Sequence, residues 1–447
     1  MKNFILAFSV LLLISACSVD HKCQTYDEVG SEFLSSDSFV ELSQAMNNAN
    51  FVYRNMDGVN YHRREIKDVR LLTDAVFKDV PTRSIDDENP LAYVVNYQNN
   101  QGFAILAANE NLPPVLVLGD EGCFSLDDYI CYVNNCLTRS NNEDLTPQQE
   151  LQYQLVTNSL NIANKGLVVG PNIPFGTTSD TTLVLKCMPI IPVKWAQNEP
   201  YNMYCFDEED SLYKAGCVPV ACAQTLASMR YHHNFRPAVE INSGYPVDWF
   251  VINELIYADT MGYGSNSVTP GSRAVATLIR AIGEEVHVNY GKSSSWASRE
   301  DAVKMYEKIG LTVDSCFQTD SNHLDKLFES IVSKNVPVDC YAIGNKDDGD
   351  IIAHCFNVDG WLRLEYSTSR IEFANPVSHL YHEQKRFDLL HVNFGWRGRG
   401  DGYYVSGAFD TENREYTEDN DGGDPPIPKC YNKDVCYLTF DAESFGR

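Results

Sequence analysis

The stretch KAGCVPVACAQTLASMRYHH, from Lys214 to His233, constrains the fold more than any other. Val218, Cys222, Leu226 and Met229 recur at helical spacing, so one stripe of a helix must face a core. Pro219 falls in the first turn, where its missing N–H removes nothing the helix needs. Asn234 and Pro237 supply a stop. Cys217 therefore lies at the helix N-terminus, directly after Gly216. Backbone N–H groups and the macrodipole at such an end favour an anion, a thiolate included. The dipole is worth about 0.3–2 kcal/mol. Bringing a cysteine from about 8.5 to about 4 needs roughly 6 kcal/mol, at about 1.36 per unit. A nucleophile at position 217 thus needs a cationic imidazole from elsewhere. Without one, Cys217 is a small buried hydrophobe like Cys222.

The chain has 447 residues, 44% of them hydrophobic, enough for two or three domains with a sizeable core. Its formal charge is 35 − 61 = −26, which argues against a nucleic-acid partner, since phosphate binding needs clustered Lys and Arg. The start, MKNFILAFSVLLLISAC, has a basic residue at Lys2, an apolar run from Phe4 to Ile14, then Ser15-Ala16-Cys17. That run is too short for a stable membrane anchor and reads as an export signal. Small residues before a cysteine resemble a bacterial lipobox, which implies cleavage after residue 16 and lipidation of Cys17. The protein is expected to be exported and held to a membrane only through that lipid until it matures, then to be surface-bound or secreted. Of 14 cysteines, Cys430 and Cys436 are close enough in sequence to pair in an oxidising compartment. No Cys-x-x-Cys occurs, so no structural metal site is expected.

Tyr93–Tyr97 and Phe103–Ala107 read as strands around the polar turn Asn99-Asn100-Gln101-Gly102, and Val115–Leu118 as a third strand after Pro113-Pro114. Residues 24–60 are partly helical in pattern, with Phe39, Leu42 and Ala45 at helical spacing, and residues 139–165 are polar and helical. Residues 166–185 carry Gly, Pro, Ser and Thr and read as a linker or exposed loop. The second half, from about residue 186, holds all five tryptophans and eight of the ten histidines, and the chemistry is expected there.

IIAHCFNVDGW offers the imidazole. Ile351–Val358 reads as a strand with His354 in its middle, beside the small Ala353; Cys355 points to the opposite face. LLHVNFGWRGRGDGYY follows, with Leu389–Phe394 as a strand and Asn393 near its end. WAQNEPYN places Gln197 before a turn, where its amide could donate to a developing oxyanion.

Together AGCVPVACAQ, AHCFNVDGW, HVNFGW…DGYY and WAQNEPYN resemble the streptopain family of papain-like bacterial cysteine peptidases, over about Val193 to Tyr404. YVVNYQNNQGFAILAANENLPPVLVLGDEG resembles that family's inhibitory propeptide. The resemblance implies an α+β fold: a papain-like catalytic domain at 186–447, preceded by a small α+β propeptide domain at 17–185 and a signal peptide at 1–16. It implies a secreted or surface endopeptidase made as a zymogen, acting on protein or peptide substrates without cofactor or metal, with its own propeptide as intramolecular inhibitor. Residue by residue it makes Cys217 the nucleophile and His354 the general base and acid. Gln197 becomes the oxyanion-hole amide and Asn393 the residue that orients the imidazole. Gly216, Ala353, Phe394 and Trp396 fall at the substrate cleft. The family's Asn-Trp-Gly-Trp is here Asn393-Phe394-Gly395-Trp396, so the ring covering the Asn–His contact lacks an indole N–H. About 20 residues between Trp361 and Leu390 read as a surface insertion. Two rivals are an inactive peptidase-like lipoprotein that binds peptides or host proteins, and an acyl transferase acting on amines. The acidic runs Asp347–Asp350 and Asp410–Asp424 read as solvated loops, the first at the rim of the cleft.

Overall fold

The computed structural model describes residues 40–58, 62–73, 90–108, 113–138, 152–153, 155–157, 178–206, 212–237, 241, 247–253, 268–291, 295–345, 351–374, 377–406 and 434–441. The segment around Cys17, Phe39, the acidic runs, Cys430 and residues 139–151 and 158–177 lie outside them.

Helix α1 (Leu42–Asp57) precedes four antiparallel strands, β1 (Ile66–Thr73), β2 (Pro90–Tyr97), β3 (Phe103–Ala107) and β4 (Val115–Gly119). The hairpin between β2 and β3 forms as its sequence predicts. Asn99 and Asn100 both adopt positive φ, 55° and 60°, the backbone that two-residue hairpin turns require and that asparagine tolerates. One sheet face packs on Ala45, Ala49, Val52 and Tyr53 of α1. The other face packs on α2 (Leu126–Thr138), through Leu126, Tyr129 and Val133. The sequence reading has no helix at α2. Its signals are local: Ser125 Oγ accepts the Asp128 N–H at 3.3 Å, and Asp127 and Asp128 occupy the first turn, where the dipole favours them.

The second half contributes β5 (Thr178–Cys187), α3 (Cys217–His233), α4 (Pro270–Glu285), α5 (Arg299–Lys308), β6 (Val313–Phe317), α6 (His323–Phe328), β7 (Val338–Asn345), β8 (Ile351–Ala374), β9 (Val377–Asn393), β10 (Gly402–Val405) and β11 (Asp434–Phe440). Among the described residues eleven strands join one sheet, ordered β1-β2-β3-β4-β10-β9-β8-β7-β11-β6, with β5 added on β8. The two halves meet where β4 pairs with β10, Gly119 against Gly402 and Val117 against Tyr404. Gly402 is required at this seam: a Cβ there would lie 2.3 Å from the Leu118 carbonyl oxygen.

Three sequence expectations change. The linker read over 166–185 is strand from Thr178 onward, paired with β8 from Ser369 to Trp361. The composition is rich in Thr, which suits a strand as well as a loop. The insertion between Trp361 and Leu390 is the continuation of β8 and β9, in register from Trp361↔Leu390 to Ala374↔Val377. Helix α3 is buried on every side from Val218 to Met229, not along one stripe. It lies against β7 and β8 and shares a core with Val275, Leu278 and Ile282 of α4. Its polar residues are accommodated by specific partners: Gln224 donates to the Val193 carbonyl and Ser228 to the Ile190 carbonyl.

Candidate active site

Helix α3 begins at Cys217, and Gly216 before it takes φ +92°, a conformation glycine adopts without strain. Asn234 closes the helix in the left-handed region, φ 52°. The N-terminus of α3 abuts β8. The Cys217 thiol accepts the backbone N–H of Cys355, with the N–H groups of Val218 and of Cys217 itself converging on the same sulfur. Cys355 adjoins His354, so the strand that carries the histidine runs beside the cysteine. The Ala215 N–H donates to the Gln197 carbonyl at 2.9 Å, and Ala196 pairs with Trp396. Gln197 is thereby held against Ala215, directly before Gly216 and Cys217, and lies next to the residue that pairs with Trp396.

Beneath this, a carboxylate missed by sequence reasoning ties the helix to the sheet. Asp339 of β7 is fully buried. It accepts from Thr225 Oγ1 of α3 at 2.5 Å, from Asn357 Nδ2 of β8 at 2.9 Å and from the Tyr306 hydroxyl of α5 at 2.6 Å. One aspartate in VDCYAIGN carries no local signal of that role, because its partners come from three distant segments.

His354 is buried and stacks on Trp396, with centroids 4.7 Å apart and planes 23° apart. Trp396 stacks in turn on Phe394, 4.8 Å and 13°. A ring nitrogen of His354 donates to the Phe394 backbone carbonyl. Nε2 has no partner among the described residues. Ala353 is exposed beside it.

The Asn393 side chain points elsewhere. Its Nδ2 donates to the Val193 carbonyl at 3.2 Å, and its Oδ1 accepts from Gln224 Nε2 at 3.1 Å and from the Gly395 N–H at 3.0 Å. The Phe394 carbonyl and the Gly395 N–H belong to one planar peptide and point opposite ways. Asn393 therefore holds the far side of the peptide whose carbonyl holds His354. Sequence reasoning expects a direct contact; the geometry routes the same orientation through the main chain. Phe394 thus contributes its carbonyl as well as a ring that excludes water.

In the full chain the surroundings favour the neutral form of both groups. Burial pushes the Cys217 thiol up, against the opposing pull of the three N–H groups. Burial pushes His354 down to about 3, against the opposing Phe394 carbonyl. Phe394 and Trp396 share one core with Phe124, Tyr129 and Tyr153 of the N-terminal half, so that half helps to keep the ring pair dry. Iodoacetamide is expected to reach Cys217 of the full chain slowly between pH 5 and 8, with reaction rising only in alkali. The exposed Cys123 and Cys131 also label, so the site must be assigned by peptide mass. Fast alkylation of Cys217 at pH 6 in the uncut chain would contradict a neutral pair. A His354 depressed below its ordinary value contributes stability above about 6.5 that is lost as pH falls toward about 3.

A buried ion cluster joins the halves. His391 of β9 is contacted by Asp359 Oδ1 of β8 at 2.6 Å and by Asp120 Oδ2, from the turn after β4, at 3.1 Å. Burial alone would lower its pKa; Asp359 and Asp120 outweigh it and raise it to about 10. Beside it Lys194 Nζ pairs with Glu121 Oε1 at 2.5 Å. Among the described residues no group of His, Cys, Asp and Glu is arranged to hold a metal ion, and no helix is long and apolar enough to cross a membrane.

Residues 195–404 match the model of the Peptidase C10 family, and residues 33–143 match that of the Spi protease inhibitor. Among solved structures, a prointerpain A fragment from Prevotella intermedia is 17% identical. The match covers 83% of this chain and 98% of that one, with a TM-score of 0.45. The active wild-type interpain A cysteine protease from the same organism is 19% identical over 57% of this chain and 95% of that one, with a TM-score of 0.39. No curated protein matches.

Proposed function

We propose, since the chain belongs to the Peptidase C10 (streptopain) family and is a cysteine peptidase made as a zymogen behind a Spi-type inhibitory propeptide, that Cys217 is its nucleophile and His354 its general base and acid. The observation that supports this reading is that the N–H of Cys355, adjacent to His354, faces the Cys217 thiol at the head of α3. In the mature enzyme, water enters as the propeptide leaves, and His354 takes the thiol proton through Nε2. The thiolate attacks a peptide carbonyl. The Cys217 N–H and the Gln197 amide meet the oxyanion, His354 protonates the leaving amine, and the imidazole then activates water to release the acyl-enzyme. The exposed backbone at Ala353, beside His354, leaves room for an extended substrate, which favours cleavage within chains. A thiol-directed peptidyl epoxide tests the reading on the matured protein. It should label Cys217 alone and block internal cleavage of casein. Labelling elsewhere with full loss of activity would move the nucleophile. Labelling of Cys217 in a protein that never cleaves casein would make it a peptide-binding lipoprotein.

The boundaries near 17 and 186 and export by residues 1–16 belong to the same reading, as does lipid on Cys17. Its support is the sequence of the first seventeen residues. Lipid would then sit on the propeptide side, so maturation frees the active half from the membrane unless the cut chains stay associated. Cys17→Ser is expected to move the precursor from the membrane fraction to the soluble one. A precursor that stays membrane-bound in Cys17→Ser would refute lipidation there.

A further inference from the structure

We propose that Asp401 is a positioning residue for this peptidase: it fixes the main chain of Phe394 so that the Phe394 carbonyl holds the His354 imidazole in its working orientation. The inference rests on His354 being the catalytic base.

The Phe394 N–H donates to Asp401 Oδ1 at 2.9 Å. On the other side of the same residue, the Gly395 N–H donates to Asn393 Oδ1 at 3.0 Å. The two peptide planes that flank the Phe394 Cα are thus each held by a side-chain oxygen. With both planes fixed, φ and ψ of Phe394 are fixed, and so is the direction of its carbonyl. That carbonyl accepts the ring proton of His354. No side-chain acceptor orients the imidazole directly among the described contacts, because Asn393 is committed to Val193, Gln224 and Gly395. The aim of the base therefore depends on the main chain, and the main chain depends on Asp401.

Asp401 is 1% exposed, so its oxygen cannot be replaced by water at no cost. It sits in the loop before β10 and is built into the seam with the propeptide. Its own carbonyl accepts the Asp120 N–H at 2.9 Å. The charged groups that face it are His391 from β9, Asp120 from the turn after β4, and Lys194; Asp359 lies beyond on the far side of His391. Burial raises the Asp401 carboxyl to about 7, against the pull of His391 and of the Phe394 N–H. A neutral carboxyl still offers the acceptor oxygen. The role is one of geometry and does not require the charge.

This separates three substitutions in the matured enzyme. Asp401→Asn keeps an oxygen at the same place and should hold kcat within about threefold of wild type. Asp401→Glu keeps the charge but moves the oxygen by one bond length. Asp401→Ala removes it. Both should lower kcat by about ten- to a hundredfold, the scale of a misplacement of about 1 Å in a reacting group, with KM changed less than threefold. Both should also slow Cys217 alkylation between pH 5 and 7, which a purely structural loss confined to fewer folded molecules would not do once rates are referred to titrated active sites. Glu and Ala variants at wild-type kcat overturn the proposal, as does a loss carried by KM. A tenfold fall in kcat for Asn overturns it even if Glu and Ala fail to fold. His354→Ala is measured beside them. Activity retained there refutes His354 as the base. Activity lost there, with all Asp401 variants at wild type, refutes only the role of Asp401.

Discussion

Cys217→Ala is expected to remove peptide hydrolysis by roughly three to six orders of magnitude, the scale seen when a covalent nucleophile is deleted. The precursor should remain uncut wherever maturation is autocatalytic. Fold is not expected to suffer. Alanine is a better helix former than cysteine, and the side chain lost is small and lies at the end of α3, not in the core that Val218 to Met229 fill. Thermal unfolding and hydrolysis measured on one preparation separate the two effects. Casein cleavage above a tenth of wild type would exclude Cys217 as the nucleophile.

Asp120→Ala is expected to loosen the propeptide and bring maturation forward. The change removes one of two carboxylates that hold the buried His391 of the catalytic half, and leaves the other, Asp359, in place. Asp120 is 30% exposed at its side chain and His391 3%, so the loss is set at about 1–3 kcal/mol. That corresponds to roughly a five- to hundredfold weaker hold on the propeptide. The pH window follows from both partners. His391 has its pKa raised to about 10, so its contribution is fully present below about 6.5 and is lost as pH rises through about 10. Burial pushes Asp120 up, but His391 and Lys194 pull it below its ordinary value, so its contribution is present above about 4 and is lost in stronger acid. Wild type and variant should therefore differ most between about pH 4 and 6.5, approach each other as pH rises toward 10, and converge outside that range. The rate at which the precursor matures, followed by gel across that range, gives the answer. A variant that matures at the wild-type rate at pH 7 would show that the strand pairing of β4 with β10 holds the propeptide without help from the ions. Raising salt is not a substitute test, because screening reaches buried pairs poorly.

How much the sequence by itself determined can be read from single residues. The start and stop of α3 were legible because they are local: a glycine free to take positive φ, a proline tolerated in the first turn, and an asparagine that caps in the left-handed region. The β2–β3 hairpin was legible for the same reason, since Asn99 and Asn100 supply the turn backbone without outside help. The grouping of Cys217, His354 and Gln197 was implied by the family resemblance; that α3 packs against β8 is a matter of the fold. Tertiary structure decided what depends on partners far apart in the chain. Thr178–Cys187 is a strand because β8 is long enough to pair with it; its own composition does not distinguish strand from loop. Asp339, His391 and Asp401 have roles because burial makes each need a partner, and those partners arrive from other strands, from α3 and α5, and from the propeptide. The aim of His354 was the finest case. The family resemblance implied that Asn393 orients the imidazole by direct contact; in the structure Asn393 instead accepts from the Gly395 N–H, because only folding sets which side of a planar peptide faces the imidazole.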